Sequence, residues 1–296
     1  MVMDVYQMIT DRIIEKLEAD TIPWHQPWRS IGAPRNLVSK KLYRGVNVWL
    51  LTAQGYTSPY WATIRQINEL GGQVRKGEKS TPLVFWKIYA DGVEVKTGEP
   101  ELESETPQDQ GKRRFVLRYY SSFNTEQCDL RATVIEKLAL PEQRQLDPIE
   151  ACEAILAGMP NQPEILHAGD KAFYSPATDR ITMPPRRLFE SAEEYWSTLW
   201  HEEGHATGHP RRLNRESIKE AAPFGSATYR AEEIVAEMTA AYLCGITGIE
   251  NRTIDNSAAY IAGWAKRLRD DRKLIIHAAA QAQRACDYVL NGNRNE

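Results

Sequence analysis

The run His201-Glu202-Glu203-Gly204-His205 combines residue types that can do hydrolytic chemistry with a spacing that brings them together. At about 3.6 residues per turn, two histidines four positions apart leave a helix on nearly the same face, so both imidazoles reach one ion. Zinc accepts neutral histidine nitrogens, and a catalytic site uses three protein ligands while keeping one position open for water. Glu202 directly follows the first histidine, where a general base must stand to take a proton from that water. The pattern predicts metal-assisted hydrolysis of the metalloprotease type: the ion acidifies water and polarises a carbonyl, and Glu202 carries the proton to the leaving nitrogen. Zinc is the expected cofactor, and manganese, cobalt and nickel are the other divalent ions such a donor set takes. A solvated helix face with two surface histidines would match the same short pattern. Its context argues against that: Gly208 is placed to end the helix, and a second helix downstream offers carboxylates.

That second helix contains Glu232, Glu233 and Glu237 as candidates for the third ligand. Glu233 shares a face with Glu237 and with the small residues Ala236 and Ala240, which let that face approach the first helix, whereas Glu232 points nearer to solvent. Glu233 is therefore the expected ligand. Glu237, one turn on, is placed to orient a ligating histidine through its other ring nitrogen. His209, between Gly208 and Pro210, reads as a loop residue, and His25, His167 and His277 as ordinary polar residues. Tyr174 and Tyr229 are available to steady an oxyanion, and the strand 180–183 to offer an edge to an extended peptide.

The elements that must position these groups follow from periodicity and turn chemistry. Helices are expected over 191–207, 228–245 and 256–290, the last with a break, and over 149–157; residues 172–175 and 180–183 read as a hairpin. In the first half, 4–19 has the spacing of an amphipathic helix, 45–51 and 61–70 read as short helices, and Gly71-Gly72 ends the second. Strands 82–89 and 115–123 are expected to pair, with a mobile, acidic hairpin insertion over 91–111 between them. The polar, proline-flanked stretch 140–148 reads as a linker, with the boundary near Pro141. The expected fold class is α+β: a small N-terminal α+β domain, residues 1–140, followed by a mainly helical domain with a small sheet, residues 141–296.

The chain has 296 residues, 42% hydrophobic and 26% charged, values of soluble globular proteins rather than disordered or fibrous ones. Cys128, Cys152, Cys244 and Cys286 are far apart, with no knuckle spacing, which fits a reducing compartment. Residues 1–10 lack the basic cluster and apolar run of a signal peptide, and no apolar stretch is long enough to span a bilayer, so a cytoplasmic protein without membrane contact is expected. The net charge of −3 hides an asymmetry: residues 21–90 carry ten cations against two acids, a window of +8. Trp24, Trp28 and eight further aromatics interleave with those cations. Such a mixture suits single-stranded nucleic acid, whose phosphates need positive charge and whose bases stack on flat rings. Arg29, Arg44, Arg75, Lys76 and Lys79, with Trp24 and Trp28, are the expected DNA-binding residues, although most aromatics of a small domain are core.

The runs Pro23-Trp24 to Pro27-Trp28, Asn36, Tyr43-Arg44-Gly45-Val46-Asn47, Trp61 to Gln66 and Gly72 to Lys79 resemble the N-terminal domain of ArdC-type antirestriction proteins. His201 to His205, continuing through Gly208-His209 and Arg212-Leu213, and Glu232-Glu233-Ile-Val-Ala-Glu237 resemble that family's zincin-like domain. The first half is also similar to the matching region of plasmid primases of the TraC type. The resemblance implies a plasmid-encoded protein that binds single-stranded DNA and helps incoming conjugative DNA escape host restriction enzymes, with a restriction enzyme or another protein as substrate. Glu203 departs from the pattern, at a position that zincins usually fill with an apolar residue facing the core. The competing expectations are a general intracellular metallopeptidase whose first half recognises protein substrates, and a DNA-binding module whose metal is structural. Salt-sensitive binding to single strands separates the first of these from an antirestriction protein.

Overall fold

The structure, a computed structural model, describes residues 4–19, 21–24, 32–90, 93–98, 113–132, 134, 138, 147–219, 227–251 and 258–290. Helix α1 (Val5–Glu18) starts where the Asp4 carboxylate accepts the amides of Tyr6 and Gln7, and it buries Ile9, Ile13, Ile14 and Leu17 as one stripe. There follow β1 (Arg35–Asn36), α2 (Val46–Thr52), β2 (Tyr60–Ala62), α3 (Ile64–Glu69), β3 (Gln73–Val74), β4 (Thr81–Ala90), β5 (Val93–Gly98), β6 (Arg113–Asn124) and β7 (Cys128–Asp129). The helix expected over 61–70 is shorter than its apolar pattern implied. Trp61 belongs to β2, and Thr63 caps α3 in a reciprocal box with Gln66. Gly71, at φ +73°, ends α3 in a backbone region that a side chain rarely adopts.

A five-stranded sheet has the order β1-β2-β6-β4-β5. Its centre is the expected antiparallel pair β4 and β6, in register from Thr81 opposite Ser122 to Ala90 opposite Arg113. β5 covers only the far end of β4. Beyond it the Asn47 amide of α2 takes over that edge, donating to the Val84 carbonyl at 2.9 Å and accepting the Val84 amide at 2.8 Å. Within the expected insertion, 93–98 form β5, and 91–92 and 99–112 lie outside the described residues.

The second half opens with α4 (Pro148–Gly158), capped by Asp147. A three-stranded sheet follows, β8 (Glu164–His167), β9 (Phe173–Ser175) and β10 (Arg180–Met183), in the order β8-β10-β9. The expected hairpin is β9–β10, but β8 adds a parallel partner on the other side of β10. β10 is thus the middle strand, both edges hydrogen-bonded, and it does not offer the free edge for an extended peptide that its sequence suggested. Helices α5 (Ala192–Ala206), α6 (Glu216–Lys219), α7 (Ala227–Thr247), α8 (Ala258–Asp270) and α9 (Leu274–Val289) complete the fold. The break expected in the last helix is the turn between α8 and α9, where the Asp271 carboxylate accepts the Lys273 amide at 2.9 Å.

The architecture is α+β. One hydrophobic cluster runs through both halves, joining Trp24, Trp49 and Leu83 to Trp200, Tyr242 and Trp264. Trp24 meets Trp264 edge to face at 5.6 Å, and the Tyr242 hydroxyl donates to the Gly45 carbonyl at 2.9 Å. The expected boundary at Pro141 lies outside the described residues. All four cysteines are free and buried. Among the described residues, no helix is long and apolar enough to cross a membrane.

Candidate metal centre

Helix α5 begins at Ser191, whose hydroxyl accepts the Glu194 amide at 3.1 Å. Tyr195, Trp196, Leu199, Trp200 and Ala206 turn into the core, which leaves His201 and His205 on a half-buried flank. Their Nε2 atoms stand 3.2 Å apart, with the ring planes crossed at 80°. Helix α7 crosses α5 at Gly204. A Cβ there would lie 2.8 Å from the Ala236 Cα, so the two backbones are in contact. Close approach brings Glu233, one turn before Ala236, up to the histidines: its Oε2 is 3.5 Å from His201 Nε2 and its Oε1 is 3.6 Å from His205 Nε2. One donor atom from each of the three residues lies within 4.8 Å of the others. The donor chemistry fits a divalent transition ion, because two imidazole nitrogens face one another and a carboxylate faces both.

Burial works against a charged His201 ring, but the hydrogen bond with Glu233 and the charges of Glu202, Glu233 and Glu237 outweigh it and raise its pKa. Glu202 is buried at 8% exposure, and among the described residues no side chain bonds its carboxylate.

The carboxylates behind the histidines are arranged differently from the expectation. Glu232 does not point to solvent; it is buried, held by Arg215 on both oxygens and by the Ser217 hydroxyl. Its Oε1 lies 3.7 Å from His205 Nδ1, the ring nitrogen turned away from Glu233. Burial alone would raise its pKa, but Arg215 and His205 pull it down to about 2. Helical spacing placed Glu232 toward solvent; what it lacked was Arg215, which arrives from the segment after α5 and gives a buried acid its counter-charge. Arg215 also donates to the Gly204 carbonyl and the Thr207 hydroxyl, both at 2.7 Å, closing the C-terminal end of α5. Glu237 accepts a hydrogen bond from the Tyr260 hydroxyl of α8. Burial raises its pKa, and Tyr260 and His201 moderate the rise.

Tyr174 is engaged elsewhere. Its hydroxyl donates to Asp179 at 2.9 Å and accepts from Arg212, which also bonds the Ala206 carbonyl at the end of α5. That network anchors the β9–β10 hairpin to the helix carrying the histidines. The Tyr229 side chain lies outside the described residues. Glu203 has no exposure and, among the described residues, neither carboxyl oxygen has a hydrogen-bond partner, so desolvation lifts its pKa to about 8.

Among the described residues, the expected DNA-binding side chains do not form one surface. Trp24 is fully buried in the core, with no ring face left for a base. Arg44 is paired with Asp287 of α9, which ties the two halves together. Arg75 bonds the Glu126 carbonyl and lies 3.8 Å from both Glu78 and Asp129. Lys76 and Lys79 are exposed. Trp28 and Arg29 lie outside the described residues.

A family model of zincin-like metallopeptidases matches residues 150–281, and one for the N-terminal domain of anti-restriction factor ArdC matches residues 3–123. The metal-free crystal structure of antirestriction protein ArdC from plasmid R388 is 36% identical, covers 97% of each chain and superposes with a TM-score of 0.72. The Mn(II)-bound structure of ArdC from that plasmid is also 36% identical, with 99% of each chain covered and a TM-score of 0.70. DNA primase TraC of Escherichia coli is 37% identical over 96% of this chain but only 27% of its own length, so this chain spans about a quarter of that relative. Protein y4eC of Sinorhizobium fredii, itself uncharacterized, is 35% identical over 99% of this chain and 95% of its own. Two models that tile the sequence in order, and a solved relative aligned end to end, show that the chain belongs to the ArdC antirestriction family, with a zincin-like domain behind an ArdC N-terminal domain.

Proposed function

We propose that this protein is a cytoplasmic, plasmid-borne antirestriction factor that binds single-stranded DNA through residues 1–140. In residues 141–296 it carries a metal-dependent hydrolase site of the metalloprotease type, and it protects incoming conjugative DNA from host restriction. The observation that supports the site is the convergence of His201 Nε2, His205 Nε2 and the Glu233 carboxylate beside Glu202. His201, His205 and Glu233 hold the metal, zinc in this reading. When bound, the ion supplies Lewis acidity toward a water and a substrate carbonyl. Glu202 accepts a proton from that water and delivers it to the leaving nitrogen. Glu232 orients the His205 ring from its Nδ1 side, and Glu237 fixes the field around His201. The substrate is a protein, a host restriction enzyme or a partner of one.

Elemental analysis tests the site first. The parent is expected to hold about one equivalent of zinc or manganese, and the double variant His201→Ala, His205→Ala to hold none. A parent that binds no metal when either ion is supplied removes the hydrolase from the proposal. Glu202→Gln is expected to keep the metal and lose protection in a conjugation assay into a restricting host. Protection equal to the parent's makes the metal structural.

A further inference from the structure

We infer that one face of the β4–β6 pair, carrying Phe85, Tyr89, Arg114 and Arg118, is the platform on which single-stranded DNA stacks. This rests on the single-strand binding proposed above and places it on residues outside the cationic loops. In the β4–β6 register Phe85 lies opposite Arg118, Lys87 opposite Val116 and Tyr89 opposite Arg114. Side chains alternate along a strand, so these residues share one face, and directly opposed pairs have Cβ atoms about 4.5–5.5 Å apart. An aromatic ring and a guanidinium are therefore neighbours twice over, with the Lys87–Val116 pair between them on the same face.

Burial and charge support the same face. Arg114 and Arg118 are exposed, and Phe85 and Tyr89 are only half-buried. Among the described residues no carboxylate pairs with Arg114 or Arg118, whereas Lys87 between them is held by Glu94 at 2.7 Å. Phe85 packs on Tyr120 at 5.8 Å with the rings tilted by 56°, which fixes the orientation of its ring. On the opposite face Trp86 meets Tyr6 of α1 at 6.2 Å and Leu117 enters the core, so α1 supports the sheet from behind. Two exposed guanidiniums without a carboxylate partner among the described residues are free to take phosphates, and flat rings beside them suit bases of any sequence. A single strand supplies both. Duplex DNA keeps its bases stacked on one another and offers these rings nothing.

The test is fluorescence anisotropy of a labelled oligothymidylate with the full chain, over a salt series. Arg114→Gln, Arg118→Gln is expected to weaken binding at least tenfold and to flatten the slope of log affinity against log salt by about 1.4, two phosphate contacts at about 0.7 each. Phe85→Leu, Tyr89→Leu is expected to weaken binding at least tenfold at unchanged salt slope, with the parent's melting temperature excluding a folding defect as the cause. The control Phe115→Ser, Tyr119→Ser, on the opposite face, is expected to bind as the parent does, and all variants to show the parent's circular dichroism. If the parent binds and both face variants bind within twofold of it, or the control loses as much, the platform is overturned while single-strand binding stands. If the parent shows no salt-sensitive binding, the single-strand reading itself fails and the platform with it.

Discussion

Where α5 crosses α7, acids are drawn out of water; on the β4–β6 sheet, arginines are left in it. Glu202, Glu203 and Glu232 are buried and Glu233 and Glu237 half-buried, and four of them meet desolvation in different ways. Glu232 takes Arg215, Glu237 takes Tyr260, Glu233 faces two histidines, and Glu203 keeps its proton. Arg114 and Arg118 stay exposed, with no carboxylate partner among the described residues. The first region must therefore respond to pH and to the loss of a single buried partner, with little effect of salt. The second must respond to salt, because exposed charges are screened over about 8–10 Å at moderate ionic strength.

The largest effect that would sharpen this contrast is at Arg215. Arg215→Met strands a buried carboxylate, and urea unfolding is expected to show a loss of about 3–5 kcal/mol, much of it regained in Arg215→Met, Glu232→Leu. A loss below about 1 kcal/mol would mean that Glu232 is hydrated after all. Next in size is the pH response of the metal-free protein. Glu203 has its pKa raised from 4.5 to about 8, so its contribution is full below pH 4.5 and is lost as pH rises through 8. Glu232, lowered from 4.5 to about 2, contributes above pH 4.5 and loses that contribution as pH falls toward 2. Stability is expected to fall on both sides, and Glu203→Gln to flatten the alkaline side only. An unchanged alkaline limb would break the assignment. The smallest effect belongs to the exposed loop: Lys76→Ala, Lys79→Ala is expected to change unfolding free energy by less than about 0.5 kcal/mol, read in the same urea titration.

Much of the metal centre was legible because its parts are local. His201, Glu202 and His205 lie within five residues, where the helical repeat alone sets direction, and Ala236 and Ala240 declared a close approach through their size. The strands β4 and β6 were legible from alternation. The surroundings of Arg44 and Arg75 were not legible for the opposite reason: composition counts charges but not their partners. Trp24 and Arg44 belong to the packing of one half on the other, against Trp264 and Asp287, more than 200 positions away in the chain. β8 escaped notice because a four-residue strand with mostly exposed side chains has little apolar pattern to detect.

By itself the sequence determined what helical and strand periodicity can encode: which helix carries the histidines, which acid on the second helix faces them, and which strands pair. Only the tertiary structure decided the environment of each charge. Desolvation and counter-charge depend on residues far apart in the chain. That is why Glu232 became a buried partner of Arg215, β10 a middle strand, and Arg44 and Arg75 neighbours of carboxylates, while Arg114 and Arg118 have no carboxylate partner among the described residues.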